Sequence, residues 1–344
     1  MKEGLIKIYE RVITFYHNKI AFSKIGDIIS TFESFRKEKG VINSDLEYSV
    51  CGDKVDVKFL ISTQTQGLIL YNKGILIQLL KEKGFYGITQ NDDLYFTFYI
   101  TGLHGKIISF RLDNNKIKDV TTRIKGLSKG IHQIDFIDDD LYVTNTYQNS
   151  ILVYQDMQQK QELHWKQHDK IIYPNGKIKK GRASNNYNHF NSIFRFKDNI
   201  YLIAHNETKK TKRVSEIYTL SLNNHKTIIK EKINGSNCHN IYKDNNNYMY
   251  CKSLEGTLTI NNKDVIFHKN KFTRGLSVSD KYIILGGSEV NLKREERKNT
   301  NGDIYLYNSD FELAQTISIK NTQIQEIRQI DQDEKTFSNY KYNK

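Results

Sequence analysis

The sequence predicts an all-β fold built as a six-bladed β-propeller, on three observations. A short phrase recurs: a turn-prone residue, a His or Arg, an Ile or Leu step, a polar turn, then an apolar strand. Its clearest copies are His132-Gln133-Ile134, His189-Phe190-Asn191, His239-Asn240-Ile241 and Arg274-Gly275-Leu276, beginning 35 to 57 residues apart. That is the span of one four-stranded blade. Tyr, Ile, Val and Thr also gather in short runs broken by Asn, Asp and Gly, which favours strands over helices. Finally, Gln325-Glu326-Ile327-Arg328-Gln329-Ile330 matches the opening strand of a repeat with no further strand behind it. The first repeat lacks such a strand. The last strand is therefore expected to complete the first blade and close the ring.

The elements follow in order. Residues 1–50 are expected to form a helical extension. Leu5, Ile8, Tyr9, Val12, Ile13 and Tyr16, then Ile25, Ile28, Ile29, Phe32 and Phe35, follow helical spacing. Their apolar faces need cover, from the propeller or from a protein partner. Residues 51–335 are expected to hold the propeller. Strands are predicted at 58–61 and 68–71, at 94–96 and 106–110, and at 131–137, 141–146 and 150–154. The later blades place them at 191–196, 200–205 and 216–220, at 240–242, 248–252 and 257–260, and at 276–279, 282–285 and 303–307. The polar stretches 156–187, 206–214 and 289–302 read as loops. Residues 336–344 read as a polar tail.

Composition narrows the function. The net charge is +13, but the lysines are spread along the chain and no RNP, helix-turn-helix or zinc-finger signature accompanies them. This argues against nucleic acid as partner. Cys51, Cys238 and Cys251 are odd in number and lack CxxC spacing, so neither a disulfide framework nor a cysteine zinc site is expected. No secretory leader pattern and no long apolar run is present, which gives the expectation of a cytoplasmic protein without a membrane. P-loop, nucleophile-elbow, kinase and Rossmann signatures are absent.

The repeat also yields a candidate site. Tyr86, His132, His189, His239, Arg274 and Gln325 each open the first strand of a blade, and the innermost strands of a propeller line its channel. Three imidazoles and a guanidinium form an anion pocket, since Arg presents a fixed fork to carboxylate, phosphate or sulfate. His132, His189 and His239 are the expected acid–base or nucleophilic set. Arg274 would clamp the anion, and Asn191, Tyr86, His205 and Gln325 would contact the substrate. The same imidazoles suit Zn or Fe with an open position. Arg274 opposes a cation unless a carboxylate such as Glu207 or Glu326 intervenes, and no HxH or HExxH spacing exists. No cofactor is required, and a divalent metal stays open.

Two resemblances add to this reading. The ordered set Ile131-His132, Leu141-Tyr142-Val143-Thr144-Asn145-Thr146, Asn188-His189-Phe190-Asn191-Ser192, Cys238-His239 and Thr273-Arg274-Gly275-Leu276 resembles a bacterial family of uncharacterised six-bladed propellers. Leu60-Ile61-Ser62-Thr63-Gln64 fits its first blade. This resemblance covers about residues 56–332; it implies the propeller and brings no activity. The phrase His189-x-Asn191-Ser192 is similar to one in the arylsulfate sulfotransferases, also six-bladed, which gather several His and an Arg around the transferred sulfuryl group. The likeness carries over His189 and Asn191. The chain departs from that family in lacking an export signal and in placing His205 where a downstream arginine is expected. The expected function is an axial pocket for a small anionic or oxygen-rich metabolite, with group-transfer (sulfotransferase-like) or lyase chemistry. The competing expectation is a non-catalytic propeller that binds a glycan or a protein. The sequence does not choose between them.

Overall fold

The computed structural model describes residues 46–102, 104–165, 187–290, 299–330 and 334–338. In chain order the strands are β1 (Tyr48–Gly52), β2 (Lys58–Thr63), β3 (Leu68–Asn72) and β4 (Ile75–Leu80). Then come β5 (Phe85–Asn91), β6 (Leu94–Thr101), β7 (His104–Asp113) and β8 (Lys116–Leu127). The third group is β9 (Ile131–Ile137), β10 (Asp140–Asn145), β11 (Ser150–Gln155) and β12 (Gln158–His164). It is followed by β13 (Phe190–Phe196), β14 (Asn199–Ala204), β15 (Glu216–Ser221) and β16 (Thr227–Lys232). The chain then forms β17 (His239–Lys243), β18 (Tyr248–Lys252), β19 (Thr257–Ile260) and β20 (Lys263–Phe267). Last are β21 (Lys271–Val278), β22 (Tyr282–Glu289), β23 (Gly302–Asn308), β24 (Leu313–Ile319) and β25 (Ile324–Gln329).

Six antiparallel sheets result, and they are the six blades. Blades two to five each use four consecutive strands, with β5, β9, β13 and β17 innermost. The C-terminal β25 supplies the inner strand of the first blade, pairing with β2, as the sequence predicts. A second stitch was not foreseen. β1 pairs with β24 and adds a fifth, outermost strand to blade six. The ring is thus closed from both ends of the described chain. β1 also corrects the boundary drawn at residue 50, because positions 48–50 are strand and not helix. The rest of the expected helical extension lies outside the described residues, as does most of the stretch 156–187.

The fourth strand of each blade escaped the sequence pattern. β16 reads Thr-Ile-Ile-Lys-Glu-Lys and is exposed at nearly every position, so it carries no apolar alternation. β12 occupies part of the predicted loop 156–187, and a helical turn, α1 (Thr208–Thr211), occupies part of 206–214. The three inner strands are apolar because both faces of each blade are covered. The buried clusters straddle the seams: Phe96 and Phe98 of blade two pack with Ile134 and Phe136 of blade three, for example. Ile69 and Tyr71 of blade one likewise pack with Ile304 and Ile317 of blade six.

One irregularity is common to all six blades. Each innermost strand carries one residue more than its partner at the same level, a β-bulge near its N-terminal end. The bulged stretches hold Tyr86-Gly87, His132-Gln133, Asn191, Asn240, Arg274-Gly275 and Gln325. A bulge re-aims the side chains around it, and here it does so on every strand that borders the axis.

The C-terminal segment closes the opposite end. Glu334, Thr336, Phe337 and Ser338 are buried. The Ser338 N–H donates to Asp135 Oδ2 at 3.1 Å, and Ser338 Oγ accepts from the Arg195 N–H at 2.8 Å. A Glu334 carboxylate oxygen accepts from the Gln329 N–H at 2.7 Å and also meets Ser277 Oγ. The segment therefore touches blades one, three, four and six. The first three residues of the predicted polar tail belong to this floor. Among the described residues no helix is long and apolar enough to cross a membrane.

Candidate functional site at the propeller axis

The bulges bring the predicted residues together. The rings of His132 and His189 lie 5.2 Å apart between centroids, and those of His132 and His239 lie 6.1 Å apart. His205, at the end of β14, stacks on His189 at 4.3 Å and meets His239 edge-on at 5.3 Å. The Arg274 Nη2 donates to His132 Nδ1 at 2.9 Å, and its guanidinium sits 5.8 Å from the Tyr86 ring centroid. Tyr86 in turn meets His132 at 5.9 Å. Four imidazoles and one guanidinium from blades three to six thus form a single packed cluster at one mouth of the channel. His132, His189 and Tyr86 keep partial exposure there, whereas His205, His239 and Arg274 are buried.

Hydrogen-bond partners set the tautomers. A guanidinium only donates, so His132 Nδ1 must accept and its proton resides on Nε2. His205 Nδ1 takes the backbone N–H of Glu207 at 3.0 Å, which likewise places the ring proton on Nε2. His239 is the reverse case. Its Nδ1 faces the Asn237 carbonyl at 2.8 Å and Ser253 Oγ at 2.9 Å. A carbonyl only accepts, so Nδ1 carries the proton and Nε2 keeps a lone pair. Burial holds the His132 and His239 imidazoles neutral, far below their ordinary titration range, and the nearby Arg274 charge pushes in the same direction.

The predicted contacts divide. Gln325 is buried in the bulge of β25, and its Oε1 has no hydrogen-bond partner among the described residues. Such an orphaned acceptor invites a ligand or water. Asn191 is occupied otherwise. Its Nδ2 donates to the Cys238 carbonyl at 2.9 Å and its Oδ1 accepts from Ser192 Oγ at 2.9 Å. It shares this task with Gln133, whose Oε1 accepts from the Ile193 N–H, and with Asn240, whose Oδ1 accepts from the Gly275 N–H. These amides stitch each inner strand to the next, so Asn191 holds the frame under the site and does not reach out from it.

Two neighbours, Tyr187 and Phe272, were missing from the sequence-derived set, and Glu207 entered it only as a carboxylate beside a possible cation. Tyr187 Oη lies 3.1 Å from His189 Nδ1, and Glu207 Oε1 lies 3.6 Å from the same nitrogen. Phe272 covers His239 edge-on at 5.4 Å. Nothing in the repeat marks them, since each lies outside the bulge phrase. Trp165, inside the stretch 156–187 that reads as a loop, packs on Phe190 at 4.4 Å. Among the described residues no group of three or more His, Cys, Asp or Glu side chains is arranged to hold a metal ion.

Fold and site together define a six-bladed β-propeller with a histidine–arginine cluster at its axis. No family model matches the chain, and no curated protein matches it. Solved structures resemble the chain to differing degrees. A chain of a nidogen/laminin complex superposes with a TM-score of 0.54 at 10% identity, over 82% of this chain and 99% of that one. A protein from Lactobacillus plantarum gives 0.48 at 11% identity, over 80% and 100%. The PQQ-bound aldose sugar dehydrogenase of Streptomyces coelicolor gives 0.45 at 10% identity, over 81% and 99%. Only the first of these exceeds 0.5, and at 10% identity it speaks to the fold alone.

Proposed function

We propose that the axial mouth binds a small anionic, oxygen-rich metabolite and promotes acid–base or group-transfer chemistry on it. The observation that carries this reading is the convergence of four imidazoles on one buried guanidinium, with the tautomers of His132, His205 and His239 fixed by specific partners. Arg274 provides a full positive charge in a site of low dielectric, where its attraction for an anion is strong. His132 and His205 present N–H groups, and a neutral imidazole N–H stabilises a negative oxygen without competing for the proton. His239 offers a lone pair. Gln325 has an unused acceptor for a ligand hydroxyl. The rings already touch one another, so the ligand enters from the more exposed side, past His132, His189 and Tyr86, to reach Arg274 and His205, which keep 8% exposure each.

The test is direct. Arg274→Ala and His132→Ala are expected to lower the affinity for inorganic phosphate or sulfate by at least tenfold in calorimetry, while the thermal midpoint moves by only a few degrees. Lost affinity together with collapse of the fold would mark the cluster as a structural hub. Unchanged affinity in both variants would support the scaffold reading, with glycan or protein ligands on another face.

A further inference from the structure

Glu207 sits in an unusual piece of backbone. Asn206 has φ of 59° and Glu207 has φ of 47°, and His189 across from them has φ of 53°. Three non-glycine residues in the left-handed region at one place are each strained, so the surroundings must hold them. They do. The His205 N–H donates to the His189 carbonyl at 3.3 Å, and the Asn206 N–H donates to the Asn188 carbonyl at 2.8 Å. Asn206 Nδ2 donates to the Val214 carbonyl at 2.7 Å and to Glu216 Oε2 at 2.8 Å. Arg213 binds both Asn188 Oδ1 and Glu216 Oε2. This frame turns the single residue Glu207 so that two of its groups serve two histidines. Its N–H is spent on His205 Nδ1, and its carboxylate stands 3.6 Å from His189 Nδ1.

We propose that Glu207 is the positioning residue that makes His189 the base of this site. A carboxylate beside Nδ1 favours the proton on that nitrogen, with Tyr187 Oη accepting it, and so leaves the lone pair on Nε2. The same residue fixes His205 in the opposite tautomer, as a donor. Resting on the anion-binding reading, this assigns a ligand class: a small carboxylate or related oxyanion with an ionisable C–H or O–H next to its charged oxygens. In the step, the ligand's X–H bond breaks and an Nε2–H bond forms on His189. The electron pair stays on the ligand and spreads onto oxygen held by Arg274 and the N–H groups of His132 and His205. No oxidant or co-reactant is needed.

The experiment uses full-length protein with 15N-labelled histidine. At pH 8, nitrogen–proton correlation spectra should show His189 and His239 protonated at Nδ1, and His132 and His205 at Nε2. In Glu207→Gln, His189 should lose its pure Nδ1–H pattern and show a tautomer mixture, while His205 keeps its form because the backbone N–H remains. His189 protonated at Nε2 in the wild type, or a Glu207→Gln spectrum identical to it, overturns the proposal. Phosphate titration of the same samples reports separately on the anion reading. Glu207→Gln removes a negative charge and should bind phosphate severalfold more tightly. If neither protein binds phosphate, the anion site fails even where the tautomers agree.

Discussion

Arg274 and His132 show how one contact sets several properties. The guanidinium donates to Nδ1 at 2.9 Å, so it fixes the tautomer, blocks protonation at that nitrogen and places a charge beside Tyr86 and within reach of His239. The consequence for stability has a definite sign. An imidazole in the unfolded chain takes up a proton near pH 6.5. His132 and His239 resist it when folded, first because the packed cluster strips their rings of water and next because Arg274 repels the charge. Their contribution to stability is therefore intact above pH 6.5 and lost as pH falls below it, at up to about 1.4 kcal/mol per pH unit for each group. Arg274→Gln should make this loss shallower in urea unfolding between pH 5 and 7, since burial remains but the charge is gone. An unchanged slope would mean that burial alone sets both rings. The sequence exposed His132, His189, His239 and Arg274 because they repeat at blade spacing. His205 lay in reach only because it ends an apolar strand. Tyr187, Phe272 and the role of Glu207 stayed hidden, because a left-handed backbone at a charged residue leaves no mark in composition.

The bulged inner strand is the element that turns a generic blade into a site. Its geometry demands close backbone approach, and glycine provides it at two blades. A Cβ on Gly87 would stand 2.5 Å from the Ile134 nitrogen and 2.9 Å from the Gln133 Cα, so blade two can nest against the bulge that aims His132. Gly275 follows Arg274 with φ of 87°, and a Cβ there would meet Ile327 Cγ1 at 3.0 Å and the Ile327 nitrogen at 3.2 Å. Gly275→Ala should cost about 1–3 kcal/mol, through backbone strain and crowding against β25. Gly126 is the control. Its φ is also positive, at 74°, but a Cβ would have nothing within 4 Å, so Gly126→Ala should cost less, about 1 kcal/mol. Urea midpoints rank the two, and equal losses would remove inter-blade crowding from the account. Inner and middle strands were legible because they are buried on both faces and read as apolar runs. An outer strand such as Thr227–Lys232 was not, since it faces water on most positions and resembles a polar loop. β1 hid for the same reason, being exposed throughout. The bulges themselves are a matter of register, and register is invisible until both partners of a strand are known.

At the scale of the whole molecule, the two ends of the channel are chemically unlike. The upper mouth carries imidazoles and Arg274. The lower end holds Asp135, Glu326 and Glu334 around Arg328, whose Nη1 lies 3.0 Å from Glu326 Oε1 and donates to the Leu276 carbonyl at 3.0 Å. The segment 334–338 covers this cluster and keeps water out. Burial accordingly pushes the Asp135 carboxyl up to about 6 and that of Glu326 up to about 7, and it raises Glu334 as well, while Arg328 pulls each the other way. A carboxyl that holds its proton more tightly when folded stabilises the fold fully below its unfolded value, near 4. That stabilisation is lost as pH rises through 6 to 7. The floor therefore favours the folded state in acid, opposite in sign to the imidazoles above it. Ending the chain at Ile330 separates the two effects. It removes Glu334, Thr336, Phe337 and Ser338, breaks the Ser338 contact with Asp135 and opens Arg328 to solvent. Loss of these buried contacts should cost about 2–4 kcal/mol and lower the thermal midpoint by roughly 5–15 °C for a domain of this size. The pH dependence should change shape as well. With water admitted, Asp135 and Glu326 return toward ordinary carboxylate values, and the decline in stability from pH 4.5 to 7 that they impose should disappear. The imidazole contribution remains, so the truncated protein should gain stability steeply as pH rises through 6.5, where the intact protein is nearly flat. Urea unfolding of both proteins at half-unit steps from pH 4.5 to 8 measures this, and parallel curves would show that the C-terminal segment does not seal the floor.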